Sequence, residues 1–261
     1  MLSDISKASG ARMKIGILAT GITPAELLSQ HGSYADMFID MLGPRAPGMT
    51  FEVFDVREER FPDNPEQCDG WIITGSKCGV YDDLPWMRRL KVLIRETYEA
   101  GRPQVGICFG HQIVAAAFGA PVAKSERGWG VGIHRYDIVG SHGFLDAGEP
   151  SFRINAMHQD QVLEVPAQAQ LLATSAFCPC AGLVYGDRIL TLQAHPEFSI
   201  DYERALLLAR RGNAVPEAVA DAGLATLDTD RPTDTPRVAR WILNVLRYPE
   251  TGREQNEQKG V

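Results

Sequence analysis

The chain has 261 residues, 44% of them hydrophobic and 23% charged, a balance that fits a folded protein with one large core and excludes wholesale disorder. Acidic residues outnumber basic ones by 33 to 26, for a formal charge of −7, and no dense Lys/Arg block occurs, so neither nucleic acid nor an anionic membrane is expected as a partner. No apolar run approaches the roughly 18 residues of a membrane span, and the opening "MLSDISKASGARMK" lacks the apolar middle of a signal peptide, which points to the cytoplasm.

After a loose tail over 1–12, "MKIGILAT" (13–20) predicts a strand and "AELLSQHGSYADMFIDML" (25–42) a helix. "MTFEVFDV" (49–56) and "DGWIITG" (69–75) read as strands, "LPWMRRLKVLIRETYEAG" (84–101) as a helix ending at Gly101, "PQVGIC" (103–108) as a strand and 110–118 as a helix. This alternation predicts an α/β fold: a mostly parallel sheet with helices on both faces. The segments 130–139, 152–157, 169–175, 181–186 and 188–195 then follow with little helix between them, and predict antiparallel strands laid onto that sheet. Three helices complete the pattern: "DYERALLLARRG" (201–212), "VPEAVADAGLATL" (215–227) and "TPRVARWILNVLRY" (235–248).

The five cysteines, Cys68, Cys78, Cys108, Cys178 and Cys180, are too few and too irregularly spaced for a disulfide framework, so reduced thiols are expected. Cys178 and Cys180 are too close for an ordinary zinc pair and have no second Cys/His pair nearby; neither a metal nor a cofactor is expected. Cys108 is different. It stands in "GICFGHQ" (106–112), after a buried strand and before a helix, at the carboxyl edge where open α/β sheets bind ligands. Gly106 and Gly110 allow a sharp elbow like that of G-x-S-x-G, and the helix N-terminus favours a thiolate.

A nucleophile needs a base, and a histidine base needs an orienting group. "QAHPEFS" supplies both, His195 and Glu197, at the end of the last predicted strand. With the elbow, these residues resemble the class I, or triad, glutamine amidotransferases, in particular free-standing proteins similar to the amidotransferase domain of GMP synthetase. The resemblance is carried by "GICFGHQ" (106–112), "ITGSKCGVYDD" (73–83), "MHQDQV" (157–162) and "AHPEF" (194–198), in family order over most of 13–200.

The resemblance implies a flavodoxin-like amidotransferase domain over 13–212 with a C-terminal helical extension and tail over 213–261. It implies that Cys108 attacks the side-chain amide of glutamine or of a γ-glutamyl compound, that His195 shuttles protons, and that Glu197 orients His195. The backbone N–H groups of Gly75 and Phe109 are the implied oxyanion donors, and Gln112, His158, Gln159 and Asp160 the implied substrate contacts. Gln159 departs from the family pattern, which has glycine there; a side chain at that point reshapes the pocket. His158 is expected to fix its loop.

None of residues 201–261 resembles a phosphate-binding loop, so the ammonia-consuming chemistry of a synthetase is not expected of this chain. Three readings stay open: a self-sufficient γ-glutamyl hydrolase; an ammonia-supplying subunit with a synthetase partner; and a non-enzymatic thiol protein for redox sensing or binding, against which the intact triad argues. The apolar positions of "VARWILNVL" either cover the core or form a docking face, for a synthetase or a second copy of the chain.

Overall fold

In a computed structural model that describes residues 13–146 and 148–247, the predicted alternation assembles into one nine-stranded sheet. In chain order the elements are β1 (Lys14–Ala19), α1 (Ala25–His31), α2 (Tyr34–Leu42), β2 (Thr50–Asp55), β3 (Gly70–Ile73), α3 (Pro85–Glu99), β4 (Gln104–Ile107) and α4 (Phe109–Ala117). Then come β5 (Val122–Lys124), β6 (Gly130–Ile138), β7 (Ser151–His158), β8 (Asp160–Val162), β9 (Gln170–Thr174), β10 (Gly182–Tyr185), β11 (Ile189–Leu192), α5 (Ile200–Arg210), α6 (Glu217–Leu227) and α7 (Thr235–Leu246). The tails expected over 1–12 and after residue 247 lie outside the described residues.

The strand order is β2-β1-β3-β4-β11-β10-β9-β6-β7. β2, β1, β3, β4 and β11 run parallel, while β10, β9, β6 and β7 pair antiparallel. This corrects one expectation. The strand at 188–195 was grouped with the antiparallel segments, yet β11 lies parallel to β4 on one side and antiparallel to β10 on the other. Its short turn from β10 dictates only the second pairing.

Alternate side chains of the central strands face opposite layers. Ile15, Ile17, Ile72, Val105 and Ile107 pack in a core with Phe38 of α2 and Trp241 and Ile242 of α7. Leu18, Trp71 and Ile73 pack with Leu90 of α3 and Ile113 of α4. β3 and β4 are buried at every residue, which explains their unbroken apolar runs. The apolar stripe of α7 is thus committed to the core. α6 lies on β6, where Thr226 Oγ1 accepts the Ile133 N–H at 2.8 Å.

Two further corrections are local. The helix expected over 25–42 is two helices, because Ser33 caps α2: its Oγ accepts the Asp36 N–H at 3.1 Å while Asp36 Oδ2 accepts the Ser33 N–H at 2.8 Å. A separate two-stranded sheet, β5 with β8, was not foreseen. It places Lys124 opposite Asp160 at the mouth of the site.

Candidate active site

β4 carries Cys108 into position. Its N–H continues the parallel ladder, bonding to Leu192 O at 2.8 Å, and the chain then turns directly into α4. At Cys108 the backbone takes φ 55° and ψ −105°, a conformation that costs a non-glycine residue roughly 1–3 kcal/mol and persists only where the surroundings enforce it. They do so here by lack of room. A Cβ on residue 106 would lie 2.6 Å from Gly110 O, and one on residue 110 would lie 2.3 Å from Ile73 O, so both glycines are obligatory. Phe109, fully buried against Trp86 at 5.6 Å, anchors the first turn of α4, and its N–H is one of those that have no acceptor within a helix.

His195 comes to this thiol from beyond β11. The strand expected to reach residue 195 ends at Leu192, so His195 and Glu197 lie in the turn beyond it. The turn is held instead by β7, through the His195 N–H on Asn155 O at 2.8 Å and the Asn155 side-chain amide on Phe198 O at 2.7 Å. His195 Nδ1 donates to Glu197 Oε1 at 2.8 Å, which leaves Nε2 for Cys108, its neighbour in the same recess. Phe198 stacks on the imidazole at 3.9 Å with the planes 8° apart. Burial opposes a charge on His195, but the Glu197 carboxylate and the adjacent Cys108 outweigh it and hold its pKa well above the usual imidazole value.

The turn after β3 closes the other side. Gly75 sits so near that a Cβ there would meet His195 Cε1 at 2.9 Å and Cys108 Cβ at 3.7 Å. Thr20, at the end of β1, fixes this turn: its Oγ1 donates to Thr74 O at 2.8 Å and its N–H to Thr74 Oγ1 at 3.0 Å. From Cys108 a cleft of about 520 Å³ extends past Ser76, Tyr81, Gln112 and His158–Asp160. A smaller recess of about 20 Å³ joins Cys108 to Gly75, His195 and Phe198.

Residues 31–212 match the family model described as glutamine amidotransferase class-I. The chain belongs to this family. Similarity to a γ-glutamyl peptidase of Arabidopsis thaliana is 31% identity over 178 residues, 66% of this chain and 70% of that one. A GMP synthase of Bordetella parapertussis is 30% identical over 154 residues, which are 54% of this chain and 27% of the synthase. Among solved structures, a glutamine amidotransferase of Thermotoga maritima superposes with a TM-score of 0.71 at 20% identity, covering 91% of this chain and 97% of that one; at that identity the likeness speaks to the fold. As a class-I amidotransferase, the chain is an enzyme of amide hydrolysis.

In this amidotransferase the other expected contacts all border the cleft, with different freedom. Gln112 Nε2 donates to Asp160 O at 3.0 Å and to Gln193 Oε1 at 3.1 Å, so both amide hydrogens are spent inside the protein and only Oε1 remains for a ligand. His158 donates from Nδ1 to Asp160 O at 3.2 Å, and burial pushes its pKa down to about 3, so it stays neutral and fixes its loop. Gln159 borders the cleft and its carbonyl holds the Ser125 N–H at 2.9 Å. Asp160 takes the Tyr81 hydroxyl at 3.2 Å on its carboxylate, whose pKa burial raises.

His111, three residues after Cys108, has both ring nitrogens bonded within the protein. Its Nε2 must donate to Cys180 O at 3.0 Å, so Nδ1 accepts from Thr191 at 2.8 Å, and burial lowers its pKa to about 4. Cys178 and Cys180 are buried, and burial pushes the Cys178 thiol up to about 12. Among the described residues no group of three or more His, Cys, Asp or Glu side chains is arranged to hold a metal ion.

Sequence reasoning missed Asn155, Gln193, Thr20 and Thr235. The last, at the first turn of α7, donates from Oγ1 to Pro196 O at 3.1 Å, so the C-terminal helix buttresses the turn between His195 and Glu197.

Proposed function

We propose that the chain hydrolyses the γ-amide bond of a γ-glutamyl compound through a glutamyl thioester on Cys108, without a synthetase partner, in a reducing cytoplasm. The observation that carries the proposal is the strained elbow at Cys108, which shares a recess with an imidazole whose far nitrogen is held by a buried carboxylate. The Cys108 sulfur attacks the γ-carbonyl carbon with its proton already passed to His195, whose raised pKa keeps the imidazole charged. The N–H groups of Gly75 and Phe109 receive the oxyanion, each such donor being worth about 3–4 kcal/mol of barrier. The tetrahedral adduct collapses by breaking the C–N bond, and His195 gives its proton to the departing nitrogen. Water, deprotonated by the same imidazole, then attacks the thioester carbonyl, releasing glutamate and returning the thiol.

Gln112 and the 158–160 segment lie on the cleft side of Cys108, where the amino-acid end of the glutamyl group is received. Autonomy is supported by the commitment of the α7 apolar stripe to the core, which leaves that stripe no docking role, and by similarity to a protein named as a γ-glutamyl peptidase. Five free cysteines accord with a reducing compartment. The test is glutamate release by the purified chain alone from glutamine and from γ-glutamyl amides and peptides. Release only when a synthetase and its other substrates are added replaces the autonomous reading with that of an ammonia donor.

A further inference from the structure

Two adjacent arginines end α5, and they are used differently. Arg211 is satisfied within the protein: its guanidinium binds Asp221 at 2.7 and 2.8 Å and Glu217 at 2.8 Å. Arg210 is half-buried, and among the described residues its guanidinium makes no hydrogen bond or ion pair. The nearest acidic candidate on its own helix is Glu203, two turns earlier. That carboxyl is buried, accepts the Gly132 N–H at 3.1 Å, and is pushed by burial up to about 8, so it is neutral at pH 7 and provides no counter-charge.

Arg210 borders both cavities that meet at Cys108. The cleft also holds Lys77 and Lys124, with Asp82 and Asp160 among the same walls, but in the recess, beside His195, Phe198 and Leu206, Arg210 is the one Lys or Arg side chain among the described residues. The side matters chemically. His195 delivers its proton to the departing nitrogen, so that nitrogen must lie beside His195 at the mouth of the recess, and the rest of a leaving group must follow the wall where Arg210 borders both recess and cleft, while the glutamyl end extends past Gln112. Glutamine would place only ammonia there, which gives a guanidinium nothing to bind. An amino acid as leaving group carries a carboxylate one carbon from the scissile nitrogen, and a guanidinium matches a carboxylate with two parallel N–H donors.

We infer that Arg210 is a specificity residue that binds the carboxylate of an amino-acid leaving group, making γ-glutamyl dipeptides, rather than glutamine, the favoured substrate class. The inference rests on the hydrolase reading above and names its leaving group.

The experiment compares γ-glutamylglycine with γ-glutamylglycinamide, which differ only in that carboxylate, for wild type, Arg210→Gln and Arg210→Lys. The wild-type ratio of kcat/KM for acid over amide is expected to be on the order of tenfold to a hundredfold, expressed mainly in KM. Arg210→Gln should bring the ratio close to one, and Arg210→Lys should retain part of it, since an ammonium keeps the charge without the fork. If Arg210→Gln is not recovered folded, the wild-type ratio and the Lys variant decide. An unchanged ratio in Arg210→Gln, with both substrates equally slowed, overturns the assignment and puts the arginine on the glutamyl carboxylate or in a structural role. A wild-type ratio near one overturns it as well. A wild type that releases glutamate from neither substrate, nor from glutamine, overturns the hydrolase reading itself, so the two failures are distinct.

Discussion

The parallel and antiparallel halves of the sheet meet at β11, and they contribute to the site in different ways. The parallel half supplies the proposed nucleophile through backbone geometry: β4 ends, Cys108 takes a strained conformation between two glycines that the close packing requires, and α4 begins. The antiparallel half supplies the hold on the histidine through side chains remote in sequence: Asn155 on β7 clamps the 195–198 turn, and Thr235 of α7 braces it from the other side. Placement of the proposed nucleophile is thus set by backbone contacts of a short segment with its neighbouring strands, whereas placement of the proposed base draws on side chains from across the fold. Damage to the first should remove the chemistry and spare the structure; damage to the second should do some of both.

The sharpest form of this comparison is a graded series at the triad. Cys108→Ala should abolish turnover, a loss of roughly four to six orders of magnitude, with an unchanged circular dichroism spectrum. His195→Ala should be nearly as severe. Glu197→Gln should lose less, roughly 10²–10⁴-fold, because the imidazole remains but its tautomer and orientation are no longer fixed. Turnover of Cys108→Ala at the wild-type rate would break the assignment of the parallel half at once.

Asn155→Ala tests the antiparallel half. Removing the side-chain donor leaves the buried Phe198 carbonyl without its partner, which should cost about 1–3 kcal/mol in chemical denaturation and lower kcat more than it raises KM. A variant with native stability and native kcat would show that the clamp does not hold the base.

Stability should also depend on pH with opposite signs from different groups. His111 and His158 have pKa values lowered by burial to about 4 and about 3, so their contribution is complete above the unfolded value near 6.5 and is lost as pH falls toward those numbers. Glu203, raised to about 8 by burial, does the reverse: its contribution is complete below its unfolded value and is lost as pH rises through 8. Denaturation of Glu203→Gln beside wild type should therefore show the difference moving in the variant's favour between pH 5 and pH 8, by at most about 1.4 kcal/mol per pH unit, and levelling off above. A difference independent of pH would mean that Glu203 is ionised in the folded protein.

The smallest effect is expected at Thr235→Val, which removes one hydrogen bond to the Pro196 carbonyl. A loss of about 1 kcal/mol of stability in chemical denaturation and a few-fold fall in kcat should accompany it.

What could be read in advance follows the same division. "GICFGHQ" announces the elbow because the glycines that its close packing requires flank the cysteine within five residues, and His195 and Glu197 are legible because they too are neighbours. The break between α1 and α2 was present in the sequence as Ser33 three residues before Asp36, a capping pair obscured by the apolar periodicity running through it. Asn155 could not be found in this way. Its partner Phe198 is 43 positions away, and an asparagine in an otherwise apolar strand gives no sign of what it faces. β11 was misread in part because a strand's two neighbours are independent, and the short turn reveals only one of them. β5 and β8, three residues each, are too short for alternation to show. The spent amide of Gln112 and the unspent guanidinium of Arg210 are likewise matters of tertiary accounting.

The central claim is covalent chemistry at Cys108, and trapping tests it most directly. The purified chain, turning over γ-glutamylglycine in increasing hydroxylamine, should form γ-glutamyl hydroxamate at the expense of glutamate in proportion to the nucleophile. Intact-mass measurement of rapidly quenched enzyme should show one glutamyl group on the peptide that contains Cys108. Glutamate release with no hydroxamate at any hydroxylamine concentration, and no acylated Cys108, would contradict the account.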